Sequence, residues 1–242
     1  MNFHPGLNRE LIERLKEFDT ALLANTIEYI DTTPSHEIYM SGEIQSVTPG
    51  LGPTTGIAYT IELDSSSPGQ QAETDAYWRQ LEEMSKEERP VVWVVKTVGS
   101  RPEHECVLGD GMAKSLYGVG CVGVVTDGGV RDVNGLMTVP FAAYCRRKTI
   151  HHCALRFRSP GEPVEVGGIT IREGDVLHAD SGGVIRLPAT CVEELPSRAV
   201  QMLAFEREAH LLIRCNQTPL AEKRIGIQDL LSKYGFSKPH VG

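Results

Sequence analysis

One stretch of the sequence decides the predicted fold: residues 109–132, which read GDGMAKSLYGVGCVGVVTDGGVRD. Two glycines flank Asp110 at its start, and apolar residues then follow at helical spacing. An uncharged run rich in β-branched residues occupies 122–125, and Asp127 with two glycines precedes Arg131 and Asp132. This order predicts a loop, a short helix, a buried strand and a turn, with Asp127 as a turn former.

The two ends of this stretch carry polar groups that predict a binding cleft. A helix beginning after Asp110 points its free N–H groups and the positive end of its dipole toward an anion. The strand presents Arg131 and Asp132 at its carboxyl end, the edge at which open α/β sheets bind ligands. We therefore expect an anion-binding loop and an Arg–Asp pair to share one cleft. Two simpler roles stay open: Asp110 as a helix N-cap, and Arg131–Asp132 as a local ion pair that closes a turn.

Composition excludes several classes of protein. The chain has 242 residues and a net charge of −8, and this acidic balance argues against a nucleic-acid-binding surface. Its six cysteines form no C-x-x-C pair, so we expect neither a zinc cluster nor a disulfide framework. No apolar run reaches the length of about 18 residues typical of a membrane span, and the first ten residues contain no apolar signal region. We expect a cytoplasmic protein without a membrane partner.

The remaining pattern mixes strands with helices along the chain. Strands are predicted at 44–48, 56–63, 91–95 and 139–144, and four short strands separated by glycine-containing turns lie between 164 and 187. A long amphipathic helix is predicted over 193–214, followed by a short one over 228–234. This order predicts an α/β fold with two sheets covered by helices. We expect one domain, 1–242, in which the helical segment 193–242 makes oligomer contacts.

A basic segment, residues 145–158, stands out in this acidic chain. One hypothesis is that it binds the anionic distal part of a ligand and so sets ligand choice. The alternative is a solvated loop. For the two histidines we prefer this loop over a metal site, because adjacent side chains on a strand face opposite ways and could not bind one metal ion together. The segment contains Arg146, Arg147, Lys148, His151, His152, Arg156 and Arg158.

The spacing of the acidic and basic residues resembles a family signature. Asp110, twenty intervening residues and then Arg131-Asp132 resemble the motif of the 4-hydroxy-4-methyl-2-oxoglutarate aldolase family. That family also includes the regulator of ribonuclease activity A and chains often labelled demethylmenaquinone methyltransferase. GDVLHADSGGVIRLP, residues 174–188, is similar to the family's second glycine-rich segment, and FDTALLANTIE, residues 18–28, resembles its N-terminal helix.

The resemblance implies a fold, an assembly and an activity. The fold would be the swivelling β/β/α type, a layered sandwich with a long C-terminal helix, in homotrimers that pair as homohexamers. The activity would be that of a class II pyruvate aldolase that depends on a divalent cation, Mg²⁺ with Mn²⁺ as the alternative. The substrate would be a small anionic 2-oxo acid, 4-hydroxy-4-methyl-2-oxoglutarate or 4-carboxy-4-hydroxy-2-oxoadipate. Oxaloacetate decarboxylation would suit the same site, because loss of CO₂ leaves the same enolate.

The chemistry and the resemblance assign the same residue roles. Asp132 would bind the metal ion, because hard cations prefer carboxylate ligands. Arg131 would donate hydrogen bonds to the enolate oxygen, whose negative charge grows during cleavage. Asp110 would orient a water that shuttles protons. The substrate-binding set is Gly109, Asp110, Gly111, Met112 and Arg131, and the catalytic residues are Arg131 and Asp110.

A second metal-site residue is expected from a neighbouring subunit, because the resembling aldolases complete the shell with a glutamate in trans. Within the predicted C-terminal helix we choose Glu206 over Glu208. The alternative for Glu206 is a surface carboxylate paired with Arg207 or Arg214.

Two other functions compete with the aldolase. The first is a non-enzymatic regulator of the same fold that binds a ribonuclease. Such a regulator needs neither Asp110 nor Asp132. The second, a methyltransferase, is disfavoured because no glycine-rich nucleotide loop with an acidic partner downstream is found in the sequence.

Overall fold

The computed structural model describes residues 6–69, 71–152 and 154–236, which form helices on the outside of one large curved sheet. In chain order the elements are α1 Arg9–Leu15, α2 Thr20–Ile30, β1 Gln45–Ser46, β2 Thr54–Asp64, α3 Asp75–Met84, β3 Val91–Thr97, β4 Cys106–Leu108, α4 Asp110–Tyr117, β5 Cys121–Val130, α5 Val133–Leu136, β6 Ala142–Lys148, β7 Arg156–Arg158, β8 Val164–Val166, β9 Ile169–Ile171, β10 Val176–Asp180, β11 Gly183–Leu187, α6 Leu195–Arg214 and α7 Leu220–Lys233.

The large sheet has a parallel centre and antiparallel ends. Its strand order is β1-β6-β5-β3-β2-β10-β11, with β4 paired to β5 and β7 paired to β2. The central parallel strands β2, β3 and β5 are buried on both faces, which is why β3 and the first half of β5 read as nearly continuous apolar runs. The end strands β1 and β11 come into contact, so the sheet is a nearly closed barrel.

Side chains alternate between the interior of this barrel and its helical coat. Val92, Val94 and Tyr144 face inward, where the β8–β9 hairpin packs against them. Trp93 and Val124 face outward, in the core that lies under α3, α4 and α5. A separate apolar layer joins α1, α2, α6 and α7 to β10 and β11. The predicted α/β class, with a layered sandwich and a long C-terminal helix, is confirmed.

Several boundaries differ from the predicted ones. The strand predicted at 139–144 is β6, which begins later and extends through three basic residues to Lys148. The last helix, α7, is longer than the predicted 228–234. The described cysteines, which exclude Cys153, are free thiols. Every described helix is too short or too polar to span a lipid bilayer.

Candidate active site

The site forms where two neighbouring parallel strands end. β4 lies beside β5, and the Arg131 N–H donates to the Leu108 carbonyl at 3.1 Å. Gly109 follows β4 directly and α4 begins at the next residue, while Arg131 and Asp132 follow β5. The two ends of the deciding stretch are therefore adjacent in space, as the sequence predicted.

Gly109 packs directly against the Arg–Asp pair. A Cβ placed on Gly109 would lie 2.9 Å from both Arg131 Nε and Asp132 Oδ2. The same two atoms, Nε and Oδ2, are 3.6 Å apart. A side chain at position 109 would occupy the space between these groups, so the close approach requires glycine.

Asp132 has an unusual backbone conformation that presents its side chain. Its φ of 54° and ψ of 40° lie in the left-handed region, which aspartate tolerates better than most residues. Its carbonyl accepts from the N–H groups of Gly135 at 2.7 Å and Leu136 at 3.1 Å, so the backbone is fixed by α5. The carboxylate caps no helix and its side chain is 47% exposed, which leaves oxygen available to a ligand.

Asp110 is the first residue of α4, and the cap position belongs to Gly109, so the N-cap role considered for Asp110 is wrong. The Asp110 carboxylate accepts a hydrogen bond from Lys114 Nζ at 2.7 Å. This bond and the positive charge of Lys114 lower the pKa of Asp110. Asp110 is therefore ionised at neutral pH and serves better as a hydrogen-bond acceptor than as a base.

Two cavities meet at these residues, and Asp110 and Arg131 line both. The first, of about 410 Å³, is bounded by β4, residues 109–112 at the start of α4 and two histidines. The second, of about 750 Å³, contains Asp132, Asn134 and Lys148. The predicted substrate set, Gly109, Asp110, Gly111, Met112 and Arg131, thus lines a single cavity.

The basic segment is mostly not a solvated loop. Arg156 is buried in β7 and donates to Asp64 Oδ1 at 2.6 Å, because an acidic partner neutralises its charge there. Arg146 lies in β6 and pairs with Glu43, and Arg147 donates to the Glu103 carbonyl. The contacts of these three arginines are structural and give no support to ligand binding by them, whereas Lys148 of the same segment lines the 750 Å³ cavity.

The two histidines of this segment lie in a loop, as the sequence predicted, but the sequence analysis assigned them no role at the site. His151 and His152 lie between β6 and β7, and both line the 410 Å³ cavity with Arg131. His151 Nδ1 is 2.8 Å from the His104 carbonyl oxygen, so the ring is held in place. No periodicity marks this segment, and only the polar residue types at the end of a strand could have pointed to it.

Asp127 is a structural residue and does not form the predicted turn. It lies inside β5, buried, and pairs with Lys96 Nζ at 2.5 Å. Its other oxygen accepts from the Thr97 N–H at 2.9 Å. The carboxylate joins β5 to β3, and the strand continues past it because these partners satisfy its charge.

Glu206 lies on α6, in the helical layer with α2, where its carboxylate accepts from Asn25 Nδ2 at 3.0 Å. It lines neither site cavity. A role at the site therefore requires a second copy of the chain. Glu208, the residue not chosen, accepts hydrogen bonds from Lys233 and Tyr234 and so joins α6 to α7.

The donor groups at the site match a hydrated hard cation. Asp132 and Asp110 supply carboxylate oxygens, and Mg²⁺ commonly binds through one or two carboxylates while keeping several waters. Within the described residues, no three His, Cys, Asp or Glu side chains are grouped so as to hold a metal ion. The chain thus offers oxygen ligands of the right kind but no complete protein cage.

Comparison with known proteins identifies the family of the chain. A family model described as RraA-like, Aldolase/RraA, matches residues 24–186. A protein of Halalkalibacterium halodurans named "Putative 4-hydroxy-4-methyl-2-oxoglutarate aldolase" is 35% identical over 109 residues, which cover 44% of this chain and 50% of that protein. Protein DlpA of Legionella pneumophila is 23% identical over 153 residues, 61% of this chain and 23% of that one. The chain thus matches half or less of the length of these curated relatives.

Solved structures share the fold. A Streptomyces coelicolor protein, RraAS2, described as an unusual member of the RNase ES inhibitor RraA protein family, superposes with a TM-score of 0.67 at 23% identity, covering 84% of this chain and 98% of that one. An uncharacterized Pseudomonas syringae protein gives a TM-score of 0.66 at 22% identity, over 91% and 95% of the chains. The chain belongs to the RraA-like family, which covers both aldolases and ribonuclease regulators.

Proposed function

We propose that this protein is a divalent-cation-dependent pyruvate aldolase. Its substrate would be a 4-hydroxy-2-oxo di- or tricarboxylic acid, 4-hydroxy-4-methyl-2-oxoglutarate or 4-carboxy-4-hydroxy-2-oxoadipate, with oxaloacetate decarboxylation as a second reaction. One observation carries the proposal: Gly109 brings the start of α4 against both Arg131 and Asp132. The start of α4, the Arg131 guanidinium and the Asp132 carboxylate thus lie together, and they would bind the substrate carboxylate, the enolate oxygen and the metal ion.

The substrate carboxylate would bind at the start of α4. The first N–H bonded within this helix is that of Ala113, which donates to the Gly109 carbonyl at 3.1 Å. The N–H groups of Asp110, Gly111 and Met112 therefore have no carbonyl acceptor inside the helix, although the Asp110 carboxylate lies close to the Gly111 N–H. Because Gly111 has no atom within 4 Å of the position of a Cβ, a ligand can approach the backbone closely at this point.

Arg131 would act on the 2-keto oxygen. Bond cleavage between C3 and C4 leaves an electron pair that moves onto this oxygen and forms the enolate of pyruvate. A guanidinium donates planar N–H groups to an oxygen, and the bond strengthens as negative charge develops. The Asp132 carboxylate forms an ion pair with this guanidinium, with Oδ2 3.6 Å from Nε.

Asp132 would hold the cation directly and Asp110 would orient one of its waters, with Mg²⁺ as the favoured ion and Mn²⁺ as the alternative. The bound cation would supply Lewis-acid stabilisation of the developing charge on the substrate oxygens. The Asp110 carboxylate, fixed by Lys114 and kept ionised, would accept a hydrogen bond from water and hold it near the substrate.

A pyruvate-release assay tests the proposal. The purified chain is incubated with a panel of 4-hydroxy-2-oxo acids and with oxaloacetate, and lactate dehydrogenase reports pyruvate through oxidation of NADH. We expect release with Mg²⁺ present and its loss on chelation, restored by excess Mg²⁺. Release that is unchanged by the chelator would refute the cation dependence, and no release from any substrate would refute the aldolase.

The ribonuclease regulator remains the competing function, since the family includes both kinds of protein. Asp110 and Asp132 separate the two, because a surface that only binds another protein needs neither carboxylate. The regulator would be favoured if the chain releases no pyruvate and if the wild-type protein and Asp132→Asn inhibit a ribonuclease equally well.

A further inference from the structure

His151 lies in the small cavity but has no part in the function proposed above. Arg131 and residues 109–112 at the start of α4 line the same cavity, so a substrate bound there would be adjacent to the imidazole. His151 Nδ1 is 2.8 Å from the carbonyl oxygen of His104. A carbonyl oxygen can only accept, so Nδ1 carries the proton, and in the neutral ring Nε2 is the basic nitrogen.

Other groups lining this cavity are poorer bases. The Asp110 carboxylate is held by Lys114, which lowers its pKa. The buried Cys106 thiol donates to the Leu108 carbonyl at 3.5 Å. His152 lines the same cavity, but within residues 6–69, 71–152 and 154–236 no hydrogen bond orients its ring. The imidazole of His151 combines a fixed orientation with an available nitrogen.

We propose that His151 is the general base that removes the proton from the C4 hydroxyl of the aldol substrate. This inference rests on the proposed aldolase function. His151 Nε2 takes the hydroxyl proton, the C4–O bond becomes a carbonyl, and the C3–C4 bond breaks. Its electron pair forms the enolate, whose oxygen Arg131 stabilises. The proton returns from the imidazolium to C3, which yields pyruvate and a free carbonyl product.

Oxaloacetate provides an internal control for this role. Its decarboxylation breaks the bond between C3 and C4 and releases CO₂, but it has no C4 hydroxyl from which a proton must be removed. The same enolate forms and then takes a proton at C3, a step for which solvent can serve as the acid. Loss of the His151 base should therefore slow aldol cleavage far more than decarboxylation.

The test uses His151→Asn, because the amide N–H of asparagine can replace Nδ1–H toward the His104 carbonyl while the Nε2 base is removed. His152→Asn is the matched control in the same cavity. Both variants and wild type are assayed with Mg²⁺ on a 4-hydroxy-2-oxo acid and on oxaloacetate. General acid–base catalysis is typically worth about 10²–10⁴-fold, so we expect His151→Asn to lower kcat for aldol cleavage by about 100-fold or more. Decarboxylation should change only a few-fold, and His152→Asn should alter both reactions equally and little.

A rescue experiment separates a base from a structural role. Exogenous imidazole should restore part of the aldol activity of His151→Ala and leave its decarboxylation unchanged. Equal losses of both reactions in His151→Asn, or no loss in either, would refute the base assignment while the proposed function stands. Absence of pyruvate from every substrate with the wild-type protein would refute the proposed function and the inference with it.

Discussion

Gly109→Ala should damage the site while leaving the fold intact. The backbone at Gly109, with φ of −120° and ψ of −169°, is an extended conformation that alanine also adopts. The added methyl would lie 2.9 Å from Arg131 Nε and Asp132 Oδ2, whereas Cβ contacts below about 3.4 Å are rare. The guanidinium and the carboxylate must therefore retreat by roughly half an ångström.

This displacement sets the expected size of the effect. A misplacement of about 1 Å costs roughly 100-fold in rate, so half of it corresponds to about tenfold in kcat/KM. The two displaced side chains are 34% and 47% exposed and can move, so the free energy of unfolding should fall by only about 1 kcal/mol.

The assay is pyruvate release with saturating Mg²⁺, alongside denaturant unfolding of the same preparation. Gly111→Ala, in the first turn of α4, is the matched control, because no atom outside its own helix turn lies within 4 Å of the added methyl. We expect Gly111→Ala to raise KM by crowding the bound carboxylate and to change kcat less. Wild-type kcat/KM in Gly109→Ala would refute the role of the Arg131–Asp132 geometry in turnover.

Four further outcomes are expected. Asp132→Asn should abolish Mg²⁺-dependent turnover with an unchanged unfolding midpoint, since an amide is a poor ligand for a hard cation; activity near wild type would remove Asp132 from the metal site. Arg131→Lys should lower kcat more than it raises KM, because lysine lacks the planar fork, and a change confined to KM would contradict an enolate contact. If the chain forms trimers or hexamers with shared sites, Glu206→Gln and Asp132→Asn should each be inactive alone. Mixing the two variants and allowing subunit exchange should restore part of the activity. No recovery in demonstrably mixed oligomers, or full activity of Glu206→Gln alone, would argue against a role of Glu206 at the site. Burial lowers the pKa of His178 from 6.5 to about 4, so between pH 6.5 and about 4 the unfolded chain binds this proton and the folded chain does not. The free energy of unfolding should therefore fall by about 3 kcal/mol as the pH drops from 6.5 to 4, and His178→Gln should lose this part of the dependence on pH.

The predictable parts of the fold are those determined by local sequence. The strands β8 to β11 lie where short apolar runs alternate with glycine turns, and Gly167, Gly168, Gly174 and Gly183 have the positive φ that such turns require. That the start of α4 and the Arg131–Asp132 pair share a cleft was also predictable, because the helix and the strand that carry them occur in one continuous segment of the chain.

The errors concern charges whose partners are distant in sequence. Arg156 is buried because Asp64, 92 residues away, neutralises it. Asp127 continues a strand because Lys96 and Thr97 of β3 satisfy its carboxylate. Neither pairing leaves a pattern in the sequence near the buried residue, so polarity alone predicted a loop or a turn in both places.

The left-handed backbone of Asp132 restricts how this position can change during evolution. At φ of 54° a β-branched residue is strained, whereas asparagine and glycine fit. A single nucleotide change converts an aspartate codon into a codon for either residue. Both replacements would delete the carboxylate while preserving the turn into α5. Within a family that contains catalysts and ribonuclease regulators, a lineage could therefore lose metal chemistry at this position in one step and keep a folded surface on which selection for binding could continue.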